Sequence, residues 1–303
     1  MVETLKIGTL RWYYIPNPSD DDFHWLEKEF YFHPLDIEDC KFQFNQRPKI
    51  DMYDDYHFLI LHFPYYDTDN KFIKTREIKI FWGQDFIITI GKPHWVVSET
   101  FAEGQKQMEN NIEFEVASSD ALLYAILERL MKSTLNMLKK IGEDIDRSSK
   151  QIFEKSTIKT IEHISITRRN VIVLNTIFKP QLPLFSQFES GRIKGFAHNM
   201  ETYWGNILDY YKNMWDRTED YAEMIEGLAQ TFDSLQANKT NEIMKILTLV
   251  SAIILPLTFI TGLYGMNVLL PYQEAPLSFW GIIGFMFLLA VSLTLYFKKK
   301  DWL

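Results

Sequence analysis

Near the C-terminal end the chain reads "PLTFITGLYGMNVLLPYQEAP", and a long apolar run stops at Gly265, Met266 and Asn267, with no charge until Glu274. Backbone carbonyls at glycines and a side-chain amide are neutral oxygen donors, the ligand type that hard cations take. Upstream, Asn241, Met244, Thr248, Ser251, Leu255, Thr258, Gly262 and Gly265 follow one another at steps of three and four. That spacing averages 3.5 residues, the period of a helix packed along others in a left-handed supercoil. The line is polar or small at most of its positions, and hydroxyl and amide groups facing lipid lack partners. Two explanations fit: close helix packing, which favours small and hydroxylated residues, or a bundle of identical helices around a narrow water-filled path. Periodicity alone leaves both open. The segment Tyr264–Asn267 is correspondingly either a polar turn or a site.

The elements that must position these residues are two membrane spans. Residues 246–263 and 278–297 carry no charged side chain. At about 1.5 Å rise per residue each covers roughly the 30 Å hydrocarbon core. Lys239 and Lys245 precede the first span and Lys298, Lys299 and Lys300 follow the second, while the connector has no Lys or Arg. The positive-inside rule then predicts an integral protein of the plasma (inner) membrane with both termini cytoplasmic and the connector outside. Trp280, Tyr296 and Trp302 stand where interfacial aromatics belong. One hairpin cannot enclose a pore, so conduction requires an oligomer.

Residues up to about 118 mix β-branched and aromatic runs ("YHFLILHFPYY", "FIITIG") with the turns "DTDN" and "GQD". Short helices are expected at "DDDFHWLEKEF" and "PLDIEDC", begun by acidic caps and a proline. Long helices follow. The first is capped by Ser119 or Asp120 and buries Leu127, Met131, Leu138, Ile141, Ile145 and Ile152. A second runs from about Thr157, burying Ile158, Ile161, Ile164, Val171, Leu174 and Phe178, and is ended by Pro180 and Pro183. From His198 no proline interrupts the pattern until Pro256. The spacing predicts an α+β cytoplasmic domain over 1–118, a helical hairpin over 119–197, and a stalk helix continuing into the first span over 198–263. An external loop over 264–277, a second span over 278–297 and a basic tail over 298–303 complete the chain.

Composition excludes several functions. The 303 residues include 32 basic and 40 acidic side chains, a net charge of −8 that disfavours nucleic acid and suits cation handling. The single cysteine, Cys40, excludes an internal disulfide and a Cys-rich zinc site. The N-terminal stretch has no apolar h-region and is not expected to be a cleavable signal. No glycine loop of the nucleotide-binding type appears, and no nucleophile–base set or metal-ligand cluster suggests an enzyme. No cofactor is expected.

"YGMN" directly after "PLTFITGL", with "NKTNEIMKILT" upstream, "FKKKDWL" at the end, and "HPLDIEDC" and "QRPKIDMYDDYHFLIL" early in the chain, resembles the CorA family of magnesium channels. The resemblance covers nearly the whole chain and implies a funnel-shaped homopentamer with the first spans lining the pore. It implies passage of Mg²⁺, with Co²⁺ and Ni²⁺ as further ions, through an entrance filter at Gly265, Met266 and Asn267. A ring of neutral oxygens can hydrogen-bond to a hydrated dication without stripping it. Asn241, Met244, Leu247, Thr248, Ser251, Leu255, Thr258 and Gly262 would line the path, with Met244, Leu247 and Leu255 as apolar constriction. Pro256 frees the Ala252 carbonyl, as a bend or as part of the gate.

Two departures stand out. The segment after Asn267 carries Glu274 as its one acid, a residue that could concentrate cations. In the stalk, Asn206 stands where the family aligns a regulatory carboxylate, with Asp209 one turn later as the candidate for any Mg²⁺ feedback. The acid runs Asp54-Asp55 and Glu143-Asp144-Asp146 read as solvated surface. A zinc-transporting relative and a non-conducting membrane scaffold or sensor are the alternative readings; Met266 argues against the first.

Overall fold

The computed structural model describes all residues except 1, 43–45, 111–115, 117, 155–157, 269–275, 301 and 303. The chain divides into two compact units, Met1–Ala229 and Gln230–Leu303.

The first unit is built on six strands: β1 (Glu3–Ile7), β2 (Leu10–Pro16), β3 (Lys49–Met52), β4 (Tyr56–Asp67), β5 (Phe72–Gly83) and β6 (Phe86–Gly91). Their order is β1-β2-β6-β5-β4-β3, and β2 and β6 are parallel while the other pairs are antiparallel. Both faces of this sheet are covered, which is why "YHFLILHF" reads as a continuous apolar run rather than an alternating one. On one face Tyr13, Ile15, Phe58, Ile60, Phe81 and Ile88 pack with Phe23 and Leu26 of α1 (Asp20–Phe30) and Ile37 of α2 (Pro34–Lys41). On the other, Trp12 meets Phe101 of α3 (Trp95–Glu109) edge-on at 5.1 Å. Trp82 meets Phe188 of α6 (Leu182–Glu189) at 6.1 Å and Trp204 of α7 (Glu201–Tyr264) at 5.9 Å.

The motifs "HPLDIEDC" and "DDYHF" are tied to each other. His33 caps α2 through its ring, which accepts from Leu35 N–H, and Pro34 sits in the first turn. Buried Asp36 then accepts from the Tyr56 hydroxyl at 2.8 Å and the Tyr53 hydroxyl at 3.2 Å, locking α2 to the start of β4. Burial pushes the Asp36 carboxyl above its ordinary range, against the pull of the Tyr56 hydroxyl.

Several helix starts differ from expectation. The cap of α1 is Ser19 in a capping box with Asp22, and the acids fill the first turn instead of capping it. The cap of α4 (Ser119–Glu154) is Ser118, whose hydroxyl accepts from Ala121 N–H at 3.2 Å. Ile161 on α5 (Ile158–Phe178) is 41% exposed, because the buried stripe of that helix runs through Thr160, Ile164 and Thr167. Thr157 is outside the described residues. Two helices were not anticipated. α3 is capped by His94, whose ring accepts from Val96 N–H at 3.3 Å; α6 carries Pro183 in its first turn, where Pro is tolerated, although that proline reads as a stop.

α4 and α5 pack against each other, and side chains of α7 reach them. A Cβ on Gly142 of α4 would lie 2.5 Å from the Tyr221 hydroxyl of α7, so a larger residue there would displace the end of that side chain. Tyr211 of α7 is buried against Phe185 at 4.3 Å and Phe178 at 5.8 Å. Buried Gln181 bonds to the edge of β4 beyond the end of β3. Its Oε1 accepts from His62 N–H at 2.8 Å, and its Nε2 donates to His62 C=O at 2.9 Å. A side-chain amide thus extends the ladder by one residue.

The second unit holds the remainder of α7 and α8 (Pro276–Lys299). Both are long and apolar enough to cross a membrane, and their apolar windows are almost wholly unburied.

Candidate functional site

In its last turns α7 shows two faces. Leu249, Ile253, Pro256 and Ile260 are buried or half-buried. α8 presents Ser278, Ile282, Met286, Leu289, Leu293 and Phe297 in the same partly buried state, at helical spacing. Ile260 and Tyr264 of α7 and Gly281 and Phe285 of α8 line one shared groove. At about 100° per residue, the line Asn241, Met244, Thr248, Ser251, Leu255, Thr258 and Gly262 lies on the opposite side of α7. All of these are exposed except half-buried Ser251. Leu247, beside that line, is 59% exposed and Leu255 67%. Pro256 belongs to the face turned away from it, which suits a bend that eases helix packing.

The two threonine hydroxyls on this line need no external acceptor. Thr248 Oγ1 donates to Met244 C=O at 2.7 Å and Thr258 Oγ1 donates to Ile254 C=O at 3.0 Å. The expectation that such hydroxyls would lack partners on a lone span is therefore corrected, because the preceding turn supplies the acceptor. What remains on the outward side of each oxygen is acceptor capacity. Cation-bound water turns its hydrogens outward, so acceptors are what a hydrated ion requires of a wall.

α7 stops at Tyr264. Gly265 N–H donates to Thr261 C=O at 2.9 Å, closing the last turn, and Met266 N–H reaches Leu263 C=O at 3.4 Å. A Cβ at Gly265 would stand 3.1 Å from that same Thr261 oxygen, tighter than nearly all real Cβ contacts. Gly265, Met266 and Asn267 then leave the helix, all exposed. They sit at a helix C-terminus, where unpaired carbonyls carry partial negative charge and favour cations. Thr261 is the residue that the sequence reading missed here; its place four residues before Gly265 was the available signal. Glu274 lies outside the described residues.

Asn206 and Asp209 are both exposed on α7, and Asn206 Nδ2 donates to the Tyr124 hydroxyl of α4 at 2.7 Å. Asp54, Asp55, Glu143, Asp144 and Asp146 are exposed. Among the described residues no group of three His, Cys, Asp or Glu side chains is placed to hold a metal ion.

The family model described as "CorA-like Mg2+ transporter protein" matches residues 8–299. The chain belongs to this family. It is 27% identical over 304 residues to YfjQ of Bacillus subtilis, covering 99% of this chain and 93% of that one. It is also 27% identical over 277 residues to the cobalt/magnesium transport protein CorA of Thermotoga maritima, covering 90% of this chain and 78% of that one. Its fold matches the complete structure of the CorA magnesium transporter from Methanocaldococcus jannaschii with a TM-score of 0.83 at 20% identity, over 97% of this chain and 92% of that one. The CorA-like fold of this chain has an α+β soluble domain, a long helix and two C-terminal apolar helices. It is a CorA-family divalent cation transporter, a membrane protein and not an enzyme.

Proposed function

We propose that five copies of this chain assemble around an axis and pass Mg²⁺ between their first spans, down the membrane potential. The observation that carries this reading is the exposed line on α7 opposite the face shared with α8, ending at Gly265–Asn267. An outer ring of α8 helices would cover the buried face of each α7 and leave the polar line for the axis. Fivefold repetition would bring together Asn267 amide oxygens and the carbonyl ends of five helices, a neutral oxygen ring suited to a dication that keeps its water. Gly265 provides the closing turn, and Met266 holds it. Thr258, Ser251, Thr248 and Asn241 offer acceptors below the ring. Met244, Leu247 and Leu255 form an apolar constriction that closes by excluding water.

No pump chemistry is required. A dication crossing 100 mV gains roughly 4.6 kcal/mol, twice the value for one elementary charge. Co²⁺ and Ni²⁺, which also accept octahedral hydrated coordination, would share the path. The lysines flanking the spans support a topology with both termini in the cytoplasm and the spans in the plasma (inner) membrane. Glu274 would raise the local cation concentration outside. Regulation by internal Mg²⁺ would fall to Asp209, with Asn206 already engaged by Tyr124.

Ion flux into liposomes carrying the purified protein, with internal Mg²⁺ varied, tests conduction and feedback together. Mg²⁺ flux that is abolished by Asn267→Ala and reduced by competing Co²⁺ is expected. Wild-type flux in Asn267→Ala would remove the filter assignment. A flux of Zn²⁺ that Mg²⁺ fails to compete would favour the zinc-transporting reading, and no flux under any gradient would favour a scaffold.

A further inference from the structure

A cavity of about 320 Å³ opens in the first unit where β2 and β6 end. These form the parallel pair among the described strands. Asn17, just past β2, donates its N–H to Gly91 C=O at the end of β6 at 2.9 Å, so the two rims are joined. Carboxyl ends of neighbouring parallel strands are where chain connections diverge and leave a crevice for small ligands.

The lining is strongly cationic. Lys41, Arg76, Lys79 and Lys92 face it, with Glu77 as the one acid. The four cations differ in what they have left to offer. Buried Lys79 spends its donors on Glu77 at 2.9 Å, Asp39 C=O at 2.6 Å and Phe42 C=O at 2.9 Å. Its charge is balanced by Glu77 and it has no further bond to offer. Lys41 is held by Glu27 at 3.1 Å. Among the described residues the Arg76 and Lys92 side chains make no hydrogen bond or ion pair. The Arg76 guanidinium stacks over the Tyr65 ring at 4.5 Å, and its buried Nε has no hydrogen-bond partner. Lys92 is exposed and makes no ion pair among the described residues. The guanidinium at the wall makes no hydrogen bond to the described residues, so its donors are open to an anion entering the cavity.

We infer that this cavity is a binding site for a compact phosphate-bearing anion, held by the Arg76 fork and the Lys92 ammonium. A guanidinium presents parallel N–H donors that match two phosphoryl oxygens. With Lys41 and Lys79 paired to carboxylates, the two remaining cations favour an anion of more than one charge over a single carboxylate. The volume lies near the low end of small-ligand sites, which fits a diphosphate or a small phosphate ester. The site lies wholly within residues 17–92 and does not depend on the transport reading.

Isothermal titration of the full-length protein in detergent with inorganic pyrophosphate tests it, in metal-free buffer at constant ionic strength. Saturable binding of one pyrophosphate per chain is expected, weakened at least about tenfold in Arg76→Gln and in Lys92→Gln, since charge-assisted bonds to a bound anion are lost. Lys106→Gln, an exposed cation on α3 away from the cavity, should bind as wild type. Lys92→Gln alters an exposed side chain and keeps the test readable if Arg76→Gln fails to fold. Absence of saturable heat, wild-type affinity in Lys92→Gln, or equal weakening in Lys106→Gln would overturn the assignment.

Discussion

Asn206 of α7 donates its side-chain amide to the Tyr124 hydroxyl of α4 at 2.7 Å, and Tyr124 in turn donates to Glu128 at 3.1 Å. Glu128 is paired with Lys132 at 3.0 Å, so one polar chain runs from the stalk along α4. Aspartate at position 206 would have to compete with Glu128 for the single phenolic proton. The new carboxylate would then swing free, one helical turn before Asp209. Asn206→Asp is therefore expected to make flux sensitive to roughly three- to tenfold lower internal Mg²⁺, because the number of charged ligands sets the affinity for a hard cation. Liposome flux at graded internal Mg²⁺ measures this. An unchanged inhibition curve would take position 206 out of regulation.

Gln181 completes the β4 ladder at His62, and its two amide N–H groups are shared among His62 C=O, Ile177 C=O at 2.8 Å and the Tyr211 hydroxyl at 3.1 Å. Leucine at this site preserves bulk and leaves the buried His62 N–H and C=O unpaired. Gln181→Leu should cost about 2–4 kcal/mol, from two unsatisfied backbone groups. The expected readout is a lowered thermal midpoint of the full-length protein in detergent, with Gln181→Glu no better, since a carboxylate cannot donate to His62 C=O.

These cases separate what was legible in the sequence from what was not. The spans were legible because eighteen or more uncharged residues admit few other fates. The α7 line was legible because a 3.5-residue period of small and polar side chains survives reading one letter at a time. α3 escaped because its cap is the His94 ring, outside the usual set of small polar caps. α6 escaped because Pro180 and Pro183 mark an end and a first turn with the same letter. The Gln181 ladder and the Arg76–Lys92 cavity join residues far apart in sequence, and no spacing announces them. The order Gly-Met-Asn was readable, but the reason for its glycine was not: that lies in the 3.1 Å between a Cβ and Thr261 C=O.

Burial gives the first unit an acid-sensitive point at His94. Its ring accepts from Val96 N–H, its Nε2 lies 3.3 Å from Pro64 C=O, and burial lowers its pKa to about 4. A folded pKa below the unfolded value means that the unfolded chain binds the proton more tightly. The stability held by neutral His94 is thus complete above about pH 6.5 and is lost as pH falls toward 4. The loss is on the order of 3 kcal/mol at full protonation. His94→Asn retains a capping side chain and cannot titrate, so its thermal midpoint should fall less than that of wild type between pH 6.5 and 4. Parallel curves for the two proteins would show that His94 does not carry the acid response.

Gly265 and Asn267 should fail in different ways, and the difference separates closing the helix from meeting the ion. Alanine at 265 pushes a methyl to within 3.1 Å of Thr261 C=O, the acceptor that ends α7. The turn must shift by a few tenths of an ångström, and every oxygen beyond it shifts too. Alanine at 267 leaves the turn intact and removes one amide oxygen per chain. Gly265→Ala is expected to lower flux of Mg²⁺, Co²⁺ and Ni²⁺ together, by about tenfold or more, since displaced ligands lose the orientation on which they depend. Asn267→Ala should abolish Mg²⁺ flux while leaving monovalent ions able to pass, so that the Mg²⁺ to K⁺ ratio collapses. Serine at 267 restores an oxygen on a shorter arm and should recover part of the Mg²⁺ flux, whereas serine at 265 restores nothing because its Cβ meets the same carbonyl. Flux ratios for Mg²⁺ against K⁺ in liposomes, taken across the four variants, decide between the two roles. Identical ratios in all four would mean that neither residue touches the ion's hydration shell.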